Sequence, residues 1–279
     1  MKAACIQLTT GRDPAAMLEV IEARVRAAAA AGAQFVALPE TCLFMERGRK
    51  AMQARLAGEA ENTEVQKLQK LAAELGIDLL VGSAVLASET HTDKAVNRSL
   101  LIGPNGAVKA RYDKIHMFDV TLDNGETHAE SASYAAGAQM ALAPVGAATL
   151  GLSICYDVRF PTLYRRLAQA GADVIAVPSA FTVPTGAAHW HILLRARAIE
   201  TGAFIVAPAQ VGAHENGRET YGHSLIIDPW GTVLAEAKAD DGFILAELDL
   251  TKSAAARAQI PSLTHGRHFT LLDGSSAND

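Results

Sequence analysis

A chain of 279 residues, 49% apolar and 20% charged, can bury roughly 70% of its unfolded surface, which excludes disorder, collagen and coiled coil. A net charge of -5 and an isoelectric point near 6.0 argue against a nucleic-acid binder, whose basic face must neutralise phosphates. They favour a small-molecule partner. Three cysteines, Cys5, Cys42 and Cys155, make no disulfide framework. The N-terminus turns polar too early for a signal peptide, and no apolar run approaches the roughly 20 residues of a membrane helix. These features point to a soluble, reduced, cytoplasmic protein without membrane contact.

A strand is predicted over 2–8, and Asp13-Pro14 opens a helix that runs to about Ala31 and stops at Gly32, through an acceptable N-cap and N1 pair. AQFVALPE follows as a short apolar strand ending at Pro39-Glu40. A second helix spans 61–75 and closes at Gly76, followed by the strand IDLLVGSAVL and the hairpin SLLIGPNGAVKARY. The second half repeats this order. AGAQFVALPE at 31–40 matches AGADVIAVPS at 170–179, LGIDLLVGSA at 75–84 matches TGAFIVAPAQ at 201–210, and SLLIGPNGAV at 99–108 matches SLIIDPWGTV at 224–233. Three blocks in one order at nearly constant spacing imply two related α/β halves. Stacked sheet on sheet, they make a four-layer α-β-β-α sandwich with an internal pseudo-two-fold repeat. No linker interrupts the chain, so 1–273 reads as one domain and 274–279, GSSAND, as a disordered tail.

In α/β sheets reactive side chains collect where strands end. Cys155 lies between an apolar strand running to Ile154 and a helix opened by Pro161. In that sharp turn the positive helix end would lower the thiol pKa. Glu40 ends a strand just after Pro39, where a partly buried carboxylate acquires the raised pKa of a general base; helix capping is the alternative. Lys114 stands among Tyr112, Ile115, Met117 and Phe118, which suggests a pocket rather than a solvated surface site. Glu130, taken alone, is a loop glutamate. His189 and His191 are two apart and do not share a helix face, with no carboxylate or cysteine at ligand spacing, so no metal site is expected. Phosphate-binding and dinucleotide loops and a GxSxG elbow are absent.

At LPE (38–40), YDKIH (112–116) and CYDVRFP (155–161) the sequence resembles the nitrilase superfamily of carbon-nitrogen hydrolases, over nearly the whole chain. The resemblance implies the four-layer sandwich, a homodimer or larger assembly, and no metal or organic cofactor. It makes Cys155 the nucleophile, Glu40 the general base, Lys114 the oxyanion-stabilising cation, and Glu130 the glutamate that orients the lysine or water. Tyr156-Asp157 after the cysteine, where nitrilases carry Trp-Glu, favours an amide over a nitrile. The run FTVPTGAAHWHILLRARAIET looks like the amidase branch that includes deaminated-glutathione amidase and ω-amidase.

The implied reaction is hydrolysis of a small carboxylate-bearing amide through a cysteine thioester, releasing ammonia. Lys114 and the Tyr156 backbone N–H would hold the oxyanion. Such a substrate calls for a cationic clamp. Arg159 is the first candidate, an ion pair with Asp157 being its alternative role, while Thr185 and Gly186 resemble a substrate-lining loop. Two rival readings are a Cys-His hydrolase using His116 and a non-catalytic α/β interaction module.

Overall fold

The computed structural model describes residues 1–46, 48–122 and 125–270. The first half runs β1 (Lys2–Gln7), α1 (Pro14–Ala30), β2 (Phe35–Ala37), α2 (Arg49–Gln53), α3 (Thr63–Leu75), β3 (Asp78–Ala87), β4 (Ala95–Ile102) and β5 (Val108–Asp113). A two-stranded ribbon follows, β6 (Asp119–Thr121) and β7 (Thr127–Ala129). The second half comprises β8 (Leu142–Val145), β9 (Ala148–Leu152), α4 (Pro161–Gln169), β10 (Val174–Ala176), α5 (Val183–Thr201) and β11 (Phe204–Ala207). It continues with a second ribbon, β12 (Val211–Ala213) and β13 (Glu219–Tyr221), then β14 (Leu225–Ile227) and β15 (Val233–Glu236). β16 (Gly242–Glu247) and α6 (Thr251–Gln259) close the chain.

Local chemistry sets the boundaries. The Asp13 side chain accepts the Ala15 N–H at 3.0 Å to cap α1, and Asn62 does the same for Val65 at the start of α3, each satisfying a donor the helix leaves free. Gly76, with φ +63°, ends α3 in the left-handed conformation that glycine adopts without strain. The strand expected over 33–40 contracts to Phe35–Ala37. Pro39 has no N–H to continue the ladder, which leaves Glu40 just beyond the strand end.

The two six-stranded sheets are ordered β16-β1-β2-β3-β4-β5 and β8-β9-β10-β11-β14-β15. In each, an antiparallel edge strand precedes three parallel strands and then two antiparallel ones. The three matched sequence blocks fall on β2 and β10, β3 and β11, β4 and β14, so the repeat read in the sequence is the repeat of the fold. Alternate residues of the first sheet separate into two cores, as the two-residue period of a strand requires. Ala3, Cys5, Phe35, Ala37 and Leu80 join the second sheet with Trp190, Leu194 and Leu167 of α5 and α4. Ala4, Ile6, Val36, Leu79 and Val81 join Ile21 and Val25 of α1 and Leu68 of α3. The layers are therefore α, β, β, α. Among the described residues no helix is long and apolar enough to cross a membrane. After α6 the chain returns to the body, where Arg165 Nη2 donates to the carbonyls of Ser262 and Leu263 at 2.9 and 3.0 Å. The tail expected at 274–279 lies outside the described residues.

Candidate active site

Strand ends deliver the site. Glu40 follows β2, Lys114 follows β5, Glu130 opens a short turn after β7, and Cys155 starts a 3-10 turn, Cys155–Arg159, beyond β9. Cys155 has φ +49° and Thr41, next to Glu40, has φ +51°. Neither residue is glycine, and backbone strain of this kind persists only where the surroundings impose it. Here the Cys155 N–H donates to the Pro178 carbonyl at 2.9 Å. Asp157, wholly buried, accepts the Ile154 N–H at 2.8 Å, the Tyr112 hydroxyl at 2.7 Å and the His116 N–H at 3.1 Å. One carboxylate thus ties the YDKIH loop to the turn that presents the thiol.

Lys114, only 2% exposed, directs its ammonium to Glu40 Oε1 at 2.9 Å and to both oxygens of Glu130 at 2.9 Å. Glu40 Oε1 also accepts from Asn97 Nδ2 at 2.9 Å, and its Oε2 accepts from the Ala180 N–H at 2.9 Å. Glu130 is fixed by the Phe118 N–H at 2.7 Å. A buried cation between two carboxylates is tolerable because it is hydrogen-bonded to both and its charge is compensated.

Titration follows from this packing. Burial pushes the Glu40 carboxyl up, but the Lys114 charge and hydrogen bond, with Arg218 beyond, outweigh it and hold the group below the usual carboxylate range. For Lys114 burial acts downward, and Glu130 and Glu40 more than reverse it, keeping the ammonium charged. The Cys155 thiol is pushed up by burial and then by the Glu40 charge, against a smaller opposing pull from Lys114. The expected lowering by a helix end is overturned, because burial, with the Glu40 charge adding to it, outweighs one turn of 3-10 backbone and the pull of Lys114. Likewise Glu40 is not raised, because its lysine partner dominates. The site at rest holds a protonated thiol beside an ionised carboxylate.

These groups border a cavity of about 670 Å³ whose walls include Glu40, Lys114, Glu130, Cys155, Tyr156, Arg159, Thr185 and Arg218. The expected loop at Thr185 and Gly186 is instead the first turn of α5, which begins at Val183; Pro184 fits there because a first-turn N–H needs no partner. Thr185 lines the cavity and Gly186 does not. A β-carbon on Gly186 would lie 2.3 Å from the Tyr221 ring, so this glycine admits a ring rather than a substrate. Arg159 does not pair with Asp157. It approaches His189 Nδ1 at 3.3 Å and lies 5.9 and 5.5 Å from the Tyr156 and Phe181 ring centres. His116 points its Nδ1 at Asp157 at 2.6 Å and stacks on Phe160, outside the cavity wall, which removes the Cys-His geometry.

Three contributors escape a reading of motifs: Asn97, Ala180 and Arg218. Asn97 alone carried a signal, as an amide inside the apolar strand AVNRSLLI that burial obliges to find partners. Folding also brings His191 to His223 and Glu236, distant in sequence, with ligand atoms within 4.8 Å of one another. Both rings are bonded to Glu236 Oε1, at 2.9 and 3.0 Å, and the group stands apart from the cavity wall.

A family model described as Carbon-nitrogen hydrolase matches residues 2–258. Deaminated glutathione amidase of Synechocystis is 41% identical over 267 residues, covering 94% of this chain and 97% of that protein. The C. elegans NitFhit crystal structure superposes with a TM-score of 0.88 at 34% identity, over 95% of this chain and 65% of the longer NitFhit chain. Saccharomyces cerevisiae Nit3, a member of branch 10 of the nitrilase superfamily, superposes with a TM-score of 0.85 at 28% identity, over 96% of this chain and 97% of that one.

Proposed function

Because the chain belongs to the carbon-nitrogen hydrolase family, we propose that its substrate is deaminated glutathione or a close amide of an α-keto acid, cleaved through a thioester on Cys155. The observation that carries the reading is the convergence of Cys155, Glu40, Lys114 and Glu130 on one cavity. Glu40 takes the proton from Sγ as the sulfur attacks the amide carbon. The carbonyl oxygen gains the charge and is held by Lys114 Nζ and the Tyr156 N–H, an interaction whose loss typically costs about a hundred- to a thousandfold in rate. The intermediate collapses, the C–N bond breaks, and Glu40 returns the proton to the departing nitrogen. Water then enters, gives its proton to Glu40 and adds to the thioester; the acid leaves and the thiol is restored. Glu130 acts as a positioning residue that keeps Lys114 aimed.

With deaminated glutathione the departing amine is cysteinylglycine, whereas ammonia is the product only for primary amides. Arg159, held between Tyr156 and Phe181, is the clamp for the α-keto carboxylate, with Tyr156 and Thr185 lining the acyl side. We extend the proposal to a reducing cytoplasmic location, which the three free thiols suit, and to a homodimer formed across the outer face of α5. The deciding experiment measures product release from deaminated glutathione, 2-oxoglutaramate and simple aliphatic amides by wild type and Cys155→Ala. Turnover of an α-keto acid's amide by wild type alone supports the reading; equal release by both proteins rejects the nucleophile. A non-catalytic module predicts release by neither.

A further inference from the structure

Two guanidinium groups face the cavity, and among the described residues neither forms an ion pair or hydrogen bond with a carboxylate. Arg159 serves the acyl side in the proposed reaction. Arg218 has no assigned task, and its condition is unusual: Nε is buried with no hydrogen-bond partner, while Nη2 donates to the Ala180 carbonyl. The residue as a whole is half-buried, but a buried donor left idle is costly unless an acceptor reaches it. Its backbone is held firmly. Arg218 follows Gly217, with φ +82°, at the tip of the β12–β13 ribbon. Its N–H donates to Asn216 Oδ1 at 2.9 Å and its carbonyl accepts the His214 N–H at 2.8 Å.

The position of Arg218 relative to Glu40 indicates which end of a substrate it meets. Ala180 gives its N–H to Glu40 Oε2 at 2.9 Å and its carbonyl to Arg218, so base and guanidinium grip opposite ends of one residue. Arg218 also helps hold the Glu40 carboxyl down. Since Glu40 hands the proton to the departing nitrogen, the amine leaves on the Glu40 side, which is also Arg218's. Arg159 stands instead against the Tyr156 ring, beside the nucleophile's own turn. A cavity of about 670 Å³ matches the enclosure of a drug-sized ligand and exceeds what a primary amide fills.

We propose that Arg218 binds a carboxylate on the leaving amine, so that the site selects amides of α-keto acids whose amine product ends in a carboxylate over primary amides. This rests on the amidase reading above. The test is a cycle of kcat/KM values for wild type and Arg218→Met on deaminated glutathione and on the same compound with its glycine carboxylate capped as the amide, with 2-oxoglutaramate as the short reference. Losing a fork-to-carboxylate contact should raise KM for the free acid about ten- to a hundredfold, and the preference of wild type for acid over capped substrate should collapse by the same factor. Arg218→Lys, which keeps the charge but not the fork, should retain part of that preference and guards against a misfolded methionine variant. A preference unchanged within about twofold in both variants overturns the assignment while leaving the amidase reading intact. Absence of wild-type turnover on every one of these amides overturns both.

Discussion

Replacing Lys114 with methionine removes the charge that makes the site's two acids tolerable while keeping most of the side-chain volume. The ammonium has three contacts of 2.9 Å, to Glu40 and Glu130, and is 2% exposed beside a Glu40 that is 4% exposed. Breaking a buried pair from one side costs about 3–5 kcal/mol because the other charge is left uncompensated. At about 2–4 °C per kcal/mol for a chain near this size, the melting temperature should fall about 6–20 °C. The pH dependence gives the sharper test. In wild type Glu40 titrates below its unfolded value, so its stabilisation is present above the unfolded pKa and is lost as pH falls through the folded one. Without Lys114 the burial effect is much less opposed and pushes the carboxyl up. Its contribution then reverses sign, being present at low pH and lost as pH rises through the raised value. The gap in melting temperature between the two proteins should therefore be widest near about pH 8 and narrow toward about pH 5, read by scanning calorimetry at fixed scan rate. A gap under about 2 °C, or one indifferent to pH, would refute the charge-compensation account. Turnover should fall about a hundred- to a thousandfold as the oxyanion loses its cation.

Glu40→Gln should lower kcat about a hundred- to ten-thousandfold through loss of the base. It should also shift alkylation of Cys155 by iodoacetamide, mapped by mass spectrometry, to lower pH, because the Glu40 charge is one of the forces retaining the thiol proton; a shift to higher pH contradicts this. Ile192, Ile199 and Trp230, at 70, 55 and 55% exposed, form an apolar outer face along α5 and the turn beside it. Light scattering should give a dimeric mass for wild type and a smaller one for Ile192→Glu, whereas a monomeric wild type at micromolar concentration defeats the dimer.

What could be read from sequence was what lies within a few residues of a marker. Pro39 before Glu40, Pro161 after Cys155 and the matched helix-glycine-strand blocks are local signals for the strand ends that carry Glu40 and Cys155 and for the two related halves, whereas Glu130, a plain loop glutamate by itself, takes its role from the family resemblance. The start of α5 was missed because Thr182 gives no side-chain cap there, while Pro184 looks like a break when seen from outside the helix. The electrostatics were misjudged for a different reason. A thiol at a strand-to-helix turn and a lone buried glutamate each have an ordinary expectation. The first is reversed by burial, with the Glu40 charge adding to it, and the second by a partner whose distance in sequence is unrelated to its distance in space, Glu40 and Lys114 being 74 positions apart yet 2.9 Å apart. Arg218 is the extreme case. Nothing around Asn216-Gly217-Arg218 distinguishes that arginine from any charged hairpin tip, and only the Ala180 carbonyl brings it to the side of the base. The motifs thus identify the atoms that react and bring Tyr156 and Arg159 with them, whereas Arg218 comes from a loop whose sequence carries only turn chemistry. A group of that kind has to be sought in the folded cavity, at side chains left without a partner.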